Sequence, residues 1–192
     1  MKIDGKLFYF VRHAESIWNA KNLCQGQKNI ELSDRGRQNS LKFSHSLSTF
    51  PIKCICSSPL KRAHDTAKMI LNHHPNVHLT LLDEFMERHW GDLEGGPSQE
   101  MFAIEHKEES DPSYILEHGI EGKDVLIRRI IKGLNKAFQL SPTPFIVSHG
   151  RLLHTLFLVL GLPPMHQAPN LSLIEFRQKS DAWSYSIISK QE

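Results

Sequence analysis

Only three cysteines, Cys24, Cys54 and Cys56, occur in the 192 residues. So sparse and odd a set argues against a disulfide framework, and a reducing cytoplasm is the expected setting. Charge of one sign is also missing. The formal net charge is +2, and no run of Lys and Arg is present to track a phosphate backbone, so no nucleic-acid partner is expected. Long apolar runs are absent too. The most apolar stretch, Leu152 to Leu162, is about half the length a bilayer span requires. The first apolar run, Leu7 to Val11, is shorter than a signal-peptide core and is closed by Arg12, so neither a membrane partner nor a secretion signal is expected. The twelve histidines include His73-His74, His78, His106 and His118. None shows a recognisable zinc spacing to a cysteine or to a second histidine at i+4 on a helix, so no metal site is expected. Repeats and low-complexity segments are likewise missing. What is there is ordinary globular usage, 40% hydrophobic and 23% charged, in a chain of one-domain size.

Three apolar runs each end abruptly in polar residues of chemical use. Leu7-Phe8-Tyr9-Phe10-Val11 runs into Arg12-His13, Ile52-Lys53-Cys54-Ile55-Cys56 into Ser57-Ser58, and Phe145-Ile146-Val147 into Ser148-His149-Gly150. Short β-branched and aromatic runs suit strands buried on both faces, as in a parallel sheet. Ser33 is placed to cap a helix running to about Leu47, and Ala63, Ala67, Ile70 and Leu71 form a short helical face. Ile127, Ile130, Ile131, Leu134 and Phe138 recur at helical spacing within 122–140. Leu152 to Leu160 is apolar nearly all round, a buried helix stopped by Gly161 and Pro163. Leu171 to Phe176 and Trp183 to Ile188 alternate like strands. The order reads as an α/β domain over 1–192 with a mixed sheet. Residues 95–122, rich in Gly, Pro, Ser and acids, have little pattern and read as a lid-like insertion.

In an open α/β sheet ligands bind beyond the carboxyl ends of the strands. That geometry would gather Arg12, His13, Arg62 and His149. Guanidiniums present forked donors matched to phosphoryl oxygens. A neutral imidazole is a competent nucleophile when its other nitrogen is held by an acceptor. A second imidazole can donate to a phosphoryl oxygen. Phosphoryl transfer needs positioning and charge stabilisation above all, and this set supplies both without a metal. A metal enzyme and a non-catalytic phospho-ligand binding module are the rival readings.

Arg12-His13-Ala14-Glu15-Ser16 with Trp18-Asn19 resembles the signature of the histidine phosphatase superfamily, founded on the cofactor-dependent phosphoglycerate mutases. Further matches follow in order: Gln25-Gly26 with Leu32-Ser33 and Gly36, Ser57 to Ala63 with Thr66-Ala67, Glu87 to Gly91 with Leu93-Glu94-Gly95, and Ser148-His149-Gly150. The resemblance implies a three-layer α/β/α sandwich with a mostly parallel mixed sheet. It makes His13 the phosphorylated residue and assigns Arg12, Arg62 and His149 to the phosphate pocket. Asn19 becomes an extra donor, and Ser16, Gln25, Gly26 and Gly150 are the other substrate-binding candidates. Glu87 matches the general acid that protonates the leaving oxygen and then activates water. No cofactor beyond the transient phosphoryl group is implied, and the partner is a small phosphorylated substrate. Oligomeric state is not legible.

The first 95 residues look very like a phosphoglycerate mutase, but the remainder departs from that pattern. Mutases carry additional basic residues after the Glu motif. Here Gln99 to Glu121 holds seven acids against the single Lys107. An acidic lid would disfavour a dianionic remainder on the substrate, so hydrolysis of a phosphomonoester with a neutral or weakly anionic remainder is expected, ahead of mutase activity. Arg151, where mutases carry Asn, and Gly119-Ile120-Glu121-Gly122, where relatives often show Gly-Gly-Glu-Ser, depart from the family pattern.

Overall fold

In the computed structural model, residues 2–111, 113–165 and 168–189 are described. Six strands form one sheet in the order β3-β2-β4-β1-β5-β6. They are β1 (Leu7–Arg12), β2 (Cys54–Ser57), β3 (His78–Leu81), β4 (Phe145–Ser148), β5 (Leu173–Lys179) and β6 (Ala182–Ser189). β1 to β4 are mutually parallel, and β5 and β6 add an antiparallel edge. The sheet is thus mixed and mostly parallel.

Alternation along each strand splits the core between two faces. Phe8 and Phe10 of β1, with Cys54 and Cys56, pack against α5 (Lys123–Leu140) and α6 (Gly150–Val159) through Ile130, Leu134, Leu152 and Phe157. Val11, Ile55, Phe145 and Val147 point the other way, onto α2 (Asp34–Ser46) and α3 (Lys61–Leu71) through Phe43, Ala63, Ala67 and Ile70. Helices therefore cover both faces, giving the three-layer sandwich.

Local chemistry explains the helix limits. Ser33 caps α2 by accepting from Gly36 N–H at 2.9 Å. α6 closes on Gly161 at φ +67°, with Gly161 N–H on Leu158 O and Leu162 N–H on Phe157 O, the Schellman arrangement expected of a glycine stop. Elements beyond the sequence reading are the short edge strand β3, the single turn α1 (Ile17–Ala20) and α4 (Ser98–Ser110). α4 occupies the region that had looked patternless. It buries Met101 against Cys24 and Trp90, but it also buries a carboxylate, Glu105, so no clean apolar stripe marks it. Leu171, expected in a strand, instead sits at φ +59° and donates to Arg12 O, and β5 begins two residues later. No helix among the described residues is long and apolar enough to cross a membrane.

Candidate active site

The register of the parallel strands brings their carboxyl ends level. Arg12 of β1 faces Ser148 of β4, and Ser57 of β2 faces Val147. His13 N–H continues the ladder to Ser148 O at 2.9 Å, and Ser58 N–H reaches Val147 O at 3.0 Å. One sheet edge thereby gathers Arg12-His13, Ser57-Ser58 and His149, with the two imidazole centroids 5.1 Å apart. Arg62 enters from the first turn of α3, where a cation opposes the helix dipole, so the site and not the helix accounts for its place. Its Nε donates to His13 Nε2 at 3.3 Å, and its Nη1 and Nη2 are anchored on Lys28 O and Gly26 O, both at 2.8 Å. Gly26 makes this possible at φ +45°, where a Cβ would lie 1.9 Å from a Glu94 carboxylate oxygen. Arg12 Nη1 donates to Ala168 O. Its guanidinium passes so close to Gly150 that a Cβ there would meet Nε at 3.3 Å.

Burial sets the protonation states. The His13 ring is held by an Nδ1 contact of 2.6 Å to Ala14 O. Since a carbonyl only accepts, the proton is on Nδ1 and Nε2 keeps its lone pair. Desolvation first, then the charges of Arg62 and Arg12, push its pKa well below the ordinary histidine value. Desolvation, Arg62 and His13 do the same to His149. Arg12 and Arg62 are lowered by burial to about 10 and stay charged at neutral pH. His149 Nε2 contacts Ser58 Oγ at 2.7 Å, while His149 Nδ1 and Arg12 Nε are buried without a partner among the described residues. Glu87 is buried, and its carboxylate sits on the N-terminus of α6. Oε1 accepts from Leu152 N–H at 2.8 Å and Arg88 N–H at 2.9 Å, and Oε2 accepts from Arg151 N–H at 3.0 Å.

A cavity of about 380 Å³ opens above this cluster, with Arg12, Glu87, Asn19, Gln25, Gly26 and Gly150 in its wall. Comparisons with known proteins show the family. The model of the histidine phosphatase superfamily (branch 1) matches residues 8–189. The chain belongs to this superfamily. An uncharacterized phosphatase PhoE of Bacillus subtilis is 33% identical over 177 residues, 88% of each chain. Phosphoglycerate mutase-like protein 4 of Arabidopsis thaliana is 38% identical over 103 residues, 53% of this chain and 45% of that protein. Among solved structures, a mycobacterial glucosyl-3-phosphoglycerate phosphatase superposes with TM-score 0.79 at 21% identity, covering 97% of this chain and 99% of its own. A phosphoglycerate mutase from Bacillus anthracis gives 0.78 at 18%, covering 98% and 95%. At such identities the structural likeness establishes the fold.

Within this histidine phosphatase the sequence candidates divide. Arg12, His13, Arg62, His149 and Glu87 converge, though His13, Arg62 and His149 are nearly fully buried and do not form the cavity wall itself. Asn19 turns its Oδ1 to Ser16 N–H at 3.1 Å, which leaves the amide nitrogen as the group available to a ligand. Ser16 is not in the wall. Its hydroxyl completes a capping box with Asn19 and donates to Gln25 Oε1 at 2.6 Å, so it supports the loop. The acidic segment also behaves differently from the expectation. Glu105 pairs with Arg151 at 2.6 Å, Glu108 with Arg88 at 2.8 Å and Glu121 with Arg129 at 2.6 Å. None of these acids lines the cavity; α4 contributes Ser98, Met101 and Phe102 instead. The sequence reading missed Asn170, which lines the cavity and donates to His13 O at 2.7 Å, and Arg129, whose bonds surround Glu87. Among the described residues no three His, Cys, Asp or Glu side chains are grouped to hold a metal ion.

Proposed function

We propose that the chain hydrolyses phosphomonoesters through a covalent phosphohistidine on Nε2 of His13, without a metal ion. The observation that carries this is His13 itself: buried, neutral, its proton committed to Ala14 O, and its Nε2 lone pair facing a guanidinium at 3.3 Å. An incoming phosphoryl group takes over the Arg62 Nε donor. Arg12 Nε is a second donor that has no partner until a phosphoryl oxygen arrives. When Ser58 Oγ donates to His149 Nε2, the proton of that ring lies on Nδ1, a third donor of the same kind. Preorganised buried donors of this sort stabilise developing charge without reorganising.

In the first step the Nε2–P bond forms and the P–O bond to the leaving group breaks, while Glu87 passes a proton to the leaving oxygen. In the second step water attacks phosphorus, Glu87 takes its proton, the N–P bond breaks and phosphate departs. The substrate remainder is neutral or weakly anionic. Leu23, Met101, Phe102 and Pro169 line its side of the cavity, and the Arg151 guanidinium there is paired with Glu105. Residues 95–122, with α4 at the wall, serve as the lid of a single domain.

Phosphate release from an aryl phosphate in excess chelator, for wild type and His13→Ala, tests the reading, together with an alkaline detergent quench to trap a phosphoenzyme that is stable to base and lost in acid. Chelator-resistant release that disappears in the variant is expected. Rapid interconversion of phosphoglycerates with bisphosphoglycerate and little release would favour a mutase, and loss of release in chelator would refute the metal-free mechanism.

A further inference from the structure

Glu87 is reached by a segment that belongs to no sheet, and its backbone is held in an uncommon way. Buried carbonyls need partners, and each of the four from Glu84 to Glu87 finds one on a side chain. Arg129 Nη1 donates to Glu84 O at 3.0 Å and to Met86 O at 2.6 Å, and Arg129 Nη2 donates to Glu87 O at 2.9 Å. Ser148 Oγ takes Phe85 O at 2.7 Å, and Gln27 Nε2 also reaches Glu87 O at 3.0 Å. One guanidinium thus holds three of the four carbonyls. It is aimed by a two-point bond to Glu121, Nε to Oε1 at 2.6 Å and Nη2 to Oε2 at 2.8 Å. Glu121 is fixed in turn by His89 N–H on Oε2 at 3.1 Å and Arg88 Nε on its carbonyl at 2.9 Å.

We propose that Arg129, aimed by Glu121, is the positioning residue for the Glu87 carboxyl group. The proposal rests on the reading of Glu87 as general acid. Arg129 does not line the catalytic cavity, so it acts through Glu87. The N-terminus of α6 fixes the carboxylate end of that side chain, and Arg129 fixes the backbone end. Both anchors are needed because proton transfer demands placement to within a fraction of an ångström. Only a planar fork spans three carbonyls and a carboxylate at once; a lysine ammonium has three donors at one point.

The test uses kcat/KM, which covers the steps through departure of the leaving group, for p-nitrophenyl phosphate, phenyl phosphate and an alkyl phosphate. An acidic phenol leaves without help, whereas an alkoxide needs the proton. Arg129→Lys, Glu121→Gln and, as reference, Glu87→Gln are compared with wild type, each checked for an intact thermal transition. Arg129→Lys is expected to lower the alkyl phosphate value about 30-fold and the p-nitrophenyl value less than about 3-fold. Glu121→Gln shifts the series in the same direction and carries the test alone if Arg129→Lys does not fold. Equal losses across the substrates in both variants, beside a graded loss in Glu87→Gln, would overturn the positioning role. A flat series in Glu87→Gln would instead remove Glu87 as the acid, and the proposal with it.

Discussion

Keeping two imidazoles neutral beside two guanidiniums predicts a specific sensitivity to acid. In the unfolded chain His13 and His149 take up protons near pH 6.5. In the folded chain burial and the neighbouring arginines hold both pKa values well below that. Folded values depressed in this way give stability that is complete above pH 6.5 and is lost as pH falls towards the folded values. Between pH 7.5 and 5.5 one such group loses on the order of 1 kcal/mol, and the pair roughly 2–3 kcal/mol, a large part of an ordinary domain's stability. His64 and His74 are also lowered by burial, so the effect is isolated by difference. Urea unfolding at the two pH values is measured for wild type and for the double variant His13→Asn, His149→Asn. The variant should lose roughly 2–3 kcal/mol less than wild type on acidification. Carboxylates held low by partners, such as Glu15 beside Arg35 and Glu175 beside Arg177, release their stability only at lower pH, outside this window. Equal losses in the two proteins would mean that the imidazoles take up protons in the folded state as readily as in the unfolded chain, and the account of burial and the arginines holding them neutral would fail.

Arg62→Lys leaves a charge in α3 but cannot hold Gly26 O, Lys28 O and a phosphoryl oxygen together, so kcat/KM should fall at least about 100-fold, accompanied by a loss of about 1–3 kcal/mol in denaturant unfolding from the carbonyl left unpaired. Gly36→Ala drives a Cβ to 1.9 Å from the backbone oxygen of Glu15, and a loss of about 2–3 kcal/mol in denaturant unfolding is expected. Phe102, 36% exposed at the cavity wall, should lose about tenfold in kcat/KM for an aryl phosphate when changed to Ala, if the ligand covers about 50 Å² of the ring. The same change should leave a small hydrophilic phosphomonoester nearly unaffected.

The fold and the phosphate end of the site were readable because each rests on a strong local signal. Buried strands that stop at Arg12-His13, Ser57-Ser58 and Ser148-His149 state their register through their burial, and Ser33 and Gly161 announce helix ends by known chemistry. Glu87 was accessible only through resemblance, since residues 84–87 follow neither a strand nor a helical period and are held by side chains distant in sequence. α4 was missed for a related reason. Its buried positions include Glu105 beside Met101, so the inward face looks polar in one dimension. The same segment shows why counting acids misled: a count along the chain says nothing of which face each carboxylate takes. Ser16 was read as a ligand contact although Ser16-Ile17-Trp18-Asn19 has the spacing of a cap, a local signal that the family motif overshadowed.

The proposed preference for a neutral or weakly anionic remainder rests on how charges are paired around the site, not on a repelling lid. Outside the phosphate pocket the neighbouring arginines are cancelled one for one: Arg88 by Glu108, Arg129 by Glu121, Arg151 by Glu105. Inside it, Arg12 and Arg62 have only carbonyl and imidazole hydrogen-bond partners among the described residues, and carboxylates act on them only through space, Glu87 on both and Glu94 on Arg62. Cations without a hydrogen-bonded carboxylate in a largely dehydrated pocket are costly, and a phosphoryl dianion relieves that cost where an uncharged group cannot. A second anion elsewhere on the substrate meets guanidiniums that already have a carboxylate. On the proposed function, discrimination falls on the phosphoryl group, with Glu105, Glu108 and Glu121 neutralising the surrounding arginines.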